Sequence, residues 1–318
     1  MVGQLLLAPM DGLADYVLRD VLTRIGGYDA AVSEFVRVSG TLLPERTFAR
    51  VCPELQSGGV TAAGTPVSLQ LLGSDPDWLA RNAQRVGPLS PHGVDLNFGC
   101  PAKTVNRHGG GAMLLDDPEL LLRIVCAVRA SVPEHIPVTA KMRLGISDTA
   151  LAIACAQALA AGGIARLVVH ARTRDHGYQP PAHWEWVARI AQAVTVPVVA
   201  NGEVWSVADW RRCRELSGCA DVMLARGAVA DPFLALRIRG GADEAPSPDD
   251  WRALQPHLAD YWRKILGRVS ARHAPGRLKL VLSYLRRTWP HADALYGTLR
   301  PLRDVAAISA LLAPGSMP

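Results

Sequence analysis

No two cysteines in this chain form a Cys-x-x-Cys pair. The six, at positions 52, 100, 126, 155, 213 and 219, match no zinc framework. In a chain of 318 residues they read as reduced thiols of a cytoplasmic protein. No apolar run reaches the length that a membrane span needs. Met1-Val2-Gly3-Gln4 lacks the basic head and apolar stretch of a cleavable signal. Internal repeats and low-complexity segments are absent as well. The first apolar run leads into Ala8-Pro9-Met10-Asp11-Gly12, which is not the Gly-rich loop that a doubly wound open sheet often places there. The expectation is a monomer with neither a membrane nor a metal partner.

What is present is a repeated alternation. Short apolar runs recur about every thirty residues, at 5–8, 31–36, 66–71, 94–97, 138–142, 167–170, 196–201 and 221–225. Continuous apolar strands between amphipathic helices indicate a parallel sheet buried on both faces. Eight such units fit a closed (β/α)8 TIM barrel, with a doubly wound open sheet as the structural alternative. Pro118 to Ser131 predicts one helix, with Leu120, Leu121, Ile124, Val125 and Val128 on one side. Ala150 to Ala161 predicts another, stopped by Gly162-Gly163. Cys126 and Cys155 fall in these stripes and read as core.

After the loop at 240–248 the strand pattern ends. Trp251 to Leu266, Leu278 to Thr288 and Arg300 to Leu312 read as three helices. Residues 1–245 are therefore the barrel, and 246–318 a small all-helical C-terminal domain. From Ser247 onward eleven Lys and Arg face five Asp, while the remainder holds 23 basic and 24 acidic residues. The positive excess of the whole chain lies in its last 72 residues, as a polyanion-binding module requires. A solubilising helical tail is the bland alternative.

In a barrel of this type the active site lies at the C-terminal ends of the strands. Each run here ends in polar residues: Pro9-Met10-Asp11, Glu34 to Arg37, Gln70, Asn97 with Cys100, Lys141 with Arg143, His170 with Arg172, Asn201-Gly202-Glu203, and Arg226-Gly227. So many polar side chains on one rim are hard to explain as core. The most pointed stretch is Asn97-Phe98-Gly99-Cys100-Pro101, where a Gly-Cys-Pro turn stops a strand at a thiol. Gly109 to Gly111 follow, a stretch able to lie close to a ligand. Glycines, amides and an Arg after strands seven and eight suit a phosphate. Lys141 has three readings: a Schiff-base amine, a contact to the pyrimidine edge of a flavin, or a structural ion pair. With Gln70, Arg143 and a phosphate site nearby, FMN is favoured over an aldolase.

These residues resemble the tRNA-dihydrouridine synthase family. The resemblance rests on Leu7-Ala8-Pro9-Met10-Asp11-Gly12, Asp95 to Pro101, Gly109 to Ala112, Lys141 to Gly145, His170 to Arg174 and Asn201-Gly202-Glu203. Segments 33–38, 50–56 and 282–286 are similar to the bacterial C-type branch, which acts on uridine 16 of the tRNA D-loop. Asp11 stands where the family often has Glu, and Ala225 where it often has Gly. The resemblance implies a cytoplasmic enzyme that reduces uridine in tRNA to 5,6-dihydrouridine, with FMN as cofactor and NADPH as reductant. It implies flavin contacts from Pro9, Met10, Asp11, Gln70, Lys141, His170, Asn201, Gly202, Glu203, Ala225 and Arg226. It implies Cys100 as the general acid for carbon 5 of uracil, and Arg37, Asn97, Tyr178, Arg277, Lys279 and Tyr284 as tRNA contacts. A small-molecule pyrimidine reductase resembling dihydroorotate dehydrogenase leaves the basic tail without use. A non-catalytic RNA-binding barrel leaves Cys100 and Lys141 without use.

Overall fold

The computed structural model describes residues 2–106, 109–241, 246–313 and 315–317. Eight parallel strands close into a barrel in sequence order, β8 pairing back onto β1. They are β1 (Leu5–Leu7), β2 (Ala30–Arg37), β3 (Val67–Leu72), β4 (Val94–Phe98), β5 (Val138–Arg143), β6 (Arg166–His170), β7 (Val198–Asn201) and β8 (Val222–Leu224). The barrel helices are α1 (Tyr16–Ile25), α2 (Glu45–Val51), α3 (Pro76–Val86), α4 (Lys103–Asn106), α5 (Pro118–Ser131), α6 (Ala152–Ala161), α7 (Trp184–Ala193), α8 (Val207–Ser217), α9 (Arg226–Ala230) and α10 (Leu234–Gly240). Beyond them lie α11 (Pro248–Arg268), α12 (Ala274–Leu285), α13 (Pro290–Leu299) and α14 (Val305–Leu311). The boundary expected at 245/246 adjoins segment 242–245, which lies outside the described residues.

The apolar runs became strands because a barrel strand is covered on both faces. Leu5, Val67, Leu69, Val94, Leu96, Val138 and Ala140 belong to the large core between strands and helices. Leu6, Val32, Val168, Val199 and Met223 form a separate inner core. α5 has the predicted bounds, and Asp117 caps it by accepting from the Leu120 N–H. Cys126 departs from expectation: Cys155 is buried, but Cys126 is exposed. It lies one residue, about 100°, past Val125, and so falls outside the buried stripe of Leu121, Ile124, Val125 and Val128. Among the described residues the helical domain has four helices where three were expected. Pro290 is the first residue of the additional helix α13, where its missing N–H costs nothing.

The helical domain is clamped onto the barrel. Asp15 caps α1 by accepting from the N–H groups of Val17 and Leu18, and it also accepts from Arg268 at 2.9 Å and Arg277 at 3.0 Å. Lys264 reaches Asp20 at 2.6 Å, and Arg24 pairs with Asp260. The Trp289 indole donates to the Ala230 carbonyl at 3.1 Å from a buried position. Arg277 also donates to the carbonyl oxygens of Gly12 and Leu13, so one guanidinium holds three groups of the β1 loop. Arg277→Ala strands buried Asp15 with one cation fewer. The expected loss is about 1.5–3 kcal/mol of stability in a denaturant melt.

Candidate active site

The strand register sets the polar rim residues side by side. Gln70 lies opposite Asp95, Asn97 opposite Lys141, Arg143 opposite His170, and His170 opposite Asn201. Together with the β1 and β8 ends they line a cavity of about 450 Å³, a size ordinary for a cofactor site. Every residue expected to touch a flavin is on its wall: Pro9, Met10, Asp11, Gln70, Lys141, His170, Asn201, Gly202, Glu203, Ala225 and Arg226. Cys100, Asn97, Tyr178 and Tyr284 are there too, whereas Arg37, Arg277 and Lys279 are not. The Lys279 ammonium is bound to the carbonyls of Arg300 and Leu302 at 2.9 and 2.6 Å.

A hydrogen-bond relay places the thiol. Buried Asp95 accepts from Gln70 Nε2 at 2.7 Å and from the Thr139 hydroxyl. Asn97 Nδ2 donates to Gln70 Oε1 at 2.7 Å. Asn97 Oδ1 accepts from the amides of Gly99 and Cys100 at 3.0 and 2.9 Å, and so shapes the turn that carries the thiol. Arg143 secures the same turn from β5, donating to the Gly99 carbonyl at 2.8 Å and to the carbonyls of Thr173 and Gly177, both at 2.9 Å. Asp95 was not among the expected site residues. Its signal was a carboxylate inside an otherwise apolar strand, two positions before Asn97.

The triple glycine serves this turn rather than a ligand. Gly111 has φ +62°, and a Cβ there would lie 2.7 Å from the Cys100 carbonyl oxygen. The next amide, Ala112, donates to that oxygen at 3.1 Å. Gly109 to Gly111 are not on the cavity wall.

One stretch of the wall, beginning beside the thiol turn, is rich in basic groups: Lys141, Arg143, His170 and Arg226 line it, and fully buried Arg172 is paired with Glu203. Burial first, and the Arg143 charge second, push Lys141 down to about 7. Burial, then Arg143, Lys141, Arg172 and Arg226, hold His170 well below its ordinary range, so it is neutral at pH 7. Burial followed by Arg226 and Arg143 takes Arg172 to about 10. Cations that depress one another in this way create a site for an anion. Burial pushes the Cys100 thiol up; the Ala102 amide opposes this and the Asp11 charge adds to it. Cys100 is therefore a protonated thiol at neutral pH.

The β7 and β8 loops interlock closely. Gly202 has φ +117°, and a Cβ there would meet the His170 ring at 2.9 Å. Glu203 adopts φ +59° and accepts from Arg172 and, at 3.1 Å, from the Trp205 indole. Asn201 Nδ2 donates to the Met223 carbonyl at 2.8 Å. Among the described residues no cluster of His, Cys, Asp and Glu could hold a metal, and no helix is long and apolar enough to cross a membrane.

A closed parallel barrel whose strand ends converge on a cavity bearing a placed thiol and a cationic wall defines a (β/α)8-barrel enzyme. Residues 6–287 match the family model for dihydrouridine synthase, and the chain belongs to that family. The tRNA-dihydrouridine(16) synthase of Ralstonia nicotianae is 66% identical over 307 residues, covering 96% of this chain and 94% of that protein. The protein of the same name from Cupriavidus necator is 65% identical over 311 residues, covering 98% and 97%. Among solved structures, histamine dehydrogenase from Rhizobium sp. 4-9 is similar in fold, with TM-score 0.57 at 14% identity, over 83% of this chain and 50% of that one. The old yellow enzyme homologue of Zymomonas mobilis gives TM-score 0.53 at 14% identity, over 78% and 92%.

Proposed function

We propose that this protein reduces uridine 16 in the tRNA D-loop to 5,6-dihydrouridine, using bound FMN and NADPH, with Cys100 as the general acid. The observation that carries this reading is one cavity holding a protonated thiol together with a cluster of basic side chains. Family membership and the names of the full-length relatives support the substrate.

The residues fit FMN. Arg226 has no hydrogen-bond or ion-pair partner among the described residues, so its donors are free for a phosphate. Gly202 and Gly227 keep the adjoining loops free of side chains. Lys141 and Gln70 would hold the polar edge of the ring, with His170, Asn201, Glu203 and Ala225 around the remainder and Pro9, Met10 and Asp11 on the β1 side. Bound FMN supplies the hydride that the uracil ring accepts at carbon 6.

The protein supplies the proton and the geometry. Reduction builds enolate-like charge in the uracil, which the Cys100 thiol quenches by protonating carbon 5. The Asp95–Gln70–Asn97 relay and Arg143 hold that thiol in place. Asn97 and Tyr178 face the uridine at the cavity, Tyr284 borders it from the helical domain, and Arg37 lies outside it for the strand. Arg277 serves the tRNA surface by setting the helical domain's position, and Lys279 by bracing the connection between α13 and α14.

Purified protein is expected to carry a flavin absorption band, to release FMN on denaturation, and to convert uridine 16 in unmodified tRNA when given NADPH. Colourless protein that FMN fails to reconstitute overturns the cofactor assignment. Flavin-loaded protein that reduces a free pyrimidine but not tRNA overturns the substrate.

A further inference from the structure

Just past the C-terminus of α12 lie two adjacent arginines with different surroundings. Arg286 pairs with Asp293 at 2.6 Å and lies over the Tyr296 ring, within its own domain. Arg287 reaches across to the barrel. Its guanidinium carbon is 4.1 Å from the centre of the Trp205 ring, and it has no hydrogen-bond or ion-pair partner among the described residues. Arg287 is exposed, whereas Trp205 is half-buried on the cavity wall.

Trp205 is itself rigidly held. Its indole N–H donates to Glu203, its backbone N–H to Asp209 at 3.0 Å, and Arg226 lies 5.2 Å from its ring centre. Arg226 in turn lies 4.4 Å from the centre of the Tyr178 ring, and Arg143 is 5.2 Å from the same ring. Arg287, Trp205, Arg226, Tyr178 and Arg143 thus form an alternating ladder of cations and aromatic rings along one side of the cavity. Tyr284, in the last turn of α12 three residues before Arg287, borders the cavity too. A guanidinium held over a fixed indole, with no hydrogen-bond or ion-pair partner among the described residues, has its N–H groups available for a phosphate oxygen.

We infer that Arg287, stacked on Trp205, binds a backbone phosphate of the RNA strand next to the nucleotide whose base enters the cavity. The inference rests on the proposed tRNA substrate and adds a positioning pair that bridges the two domains at the entrance. A base leaving its stack must have its flanking phosphates held while it turns. Arg226 lies deeper and serves the cofactor, so the outermost cation of the ladder is the one that meets the strand. The phosphate of a nicotinamide dinucleotide has the same chemistry and is the competing source.

The test uses flavin-loaded full-length protein with Arg287→Ala, Arg287→Lys and Trp205→Leu, beside the parent. Flavin content and the rate of flavin reduction by NADPH are measured separately from reoxidation by tRNA. Arg287→Ala is expected to raise the KM for tRNA about tenfold and to lower the log–log salt slope of tRNA affinity by about 0.7–0.9, one phosphate contact. Flavin content and reduction by NADPH stay at parent values. Arg287→Lys restores the slope but only part of the KM, because the charge returns without the stacked fork. Trp205→Leu with Arg287 intact raises the KM in the same direction. An unchanged KM and slope in Arg287→Ala overturns the inference, as does a defect confined to reduction by NADPH, which would give the site to the dinucleotide. A parent protein that leaves tRNA unreduced refutes the proposed function instead, which keeps the two failures apart.

Discussion

Cys100→Ala is expected to lower turnover on tRNA by about 10²–10⁴-fold while leaving bound flavin and tRNA affinity close to the parent. The side chain removed is a protonated thiol on the cavity wall, carried by the turn that Asp95, Gln70 and Asn97 place. The relay acts on the backbone of the turn, through the amides of Gly99 and Cys100, so the alanine variant keeps the turn. Flavin reduction by NADPH needs no proton on uracil and should proceed at the parent rate. The pH dependence has a definite sign. Burial raises the thiol, so the acid form persists beyond the ordinary thiol range, and turnover falls only as pH rises through that raised value. The alanine variant loses this alkaline limb. Stopped-flow reoxidation of reduced flavin by tRNA, from neutral to alkaline pH, reads both effects. A variant that reoxidises at the parent rate would mean that the thiol is structural.

Gly227→Ala is expected to cost about 1–3 kcal/mol or more of stability and to release the flavin. Gly227 is not held in the left-handed region; its need for glycine is steric. A Cβ there would lie 2.0 Å from the Val204 carbonyl oxygen and 3.0 Å from its carbon. Those are backbone atoms and cannot rotate away. Relief requires the β7 loop to move from the β8 loop, carrying Glu203, Trp205 and Arg226 off the cavity. Gly240→Ala is the matched control, because a Cβ there meets nothing within 4 Å. Denaturant melts and flavin content of the two variants decide the matter: equal values would show that the loops tolerate separation.

The eight strands, their order of polar ends and the helical tail were legible in the amino-acid sequence. A barrel strand is covered on both faces, so burial is written locally as an unbroken apolar run, and its C-terminal end as the first polar residues after it. The cavity residues Cys100, His170 and Asn201 sit at or just past the ends of such runs, whereas Gln70, Asn97 and Lys141 are polar residues within the runs themselves. Cys126 was misread because the stripe of α5 is narrower than its apolar composition suggests. α13 was missed because Pro290 looks like a break when it is a beginning.

Partnership was decided only by the tertiary structure. Arg277 and Arg287 lie ten residues apart, one in the first turn of α12 and one just past its end, and look alike in sequence. One meets the Gly12 carbonyl and Asp15 across more than 260 residues of chain. The other lies on the Trp205 indole with its donors open. Asp95 is likewise one carboxylate in a strand until Gln70 and Thr139 arrive from β3 and β5 to meet it. Periodicity reports which face of an element is buried, because that depends on neighbours three or four positions away. What a buried or bordering side chain touches depends on barrel closure and domain docking, which join residues whose separation leaves no local pattern.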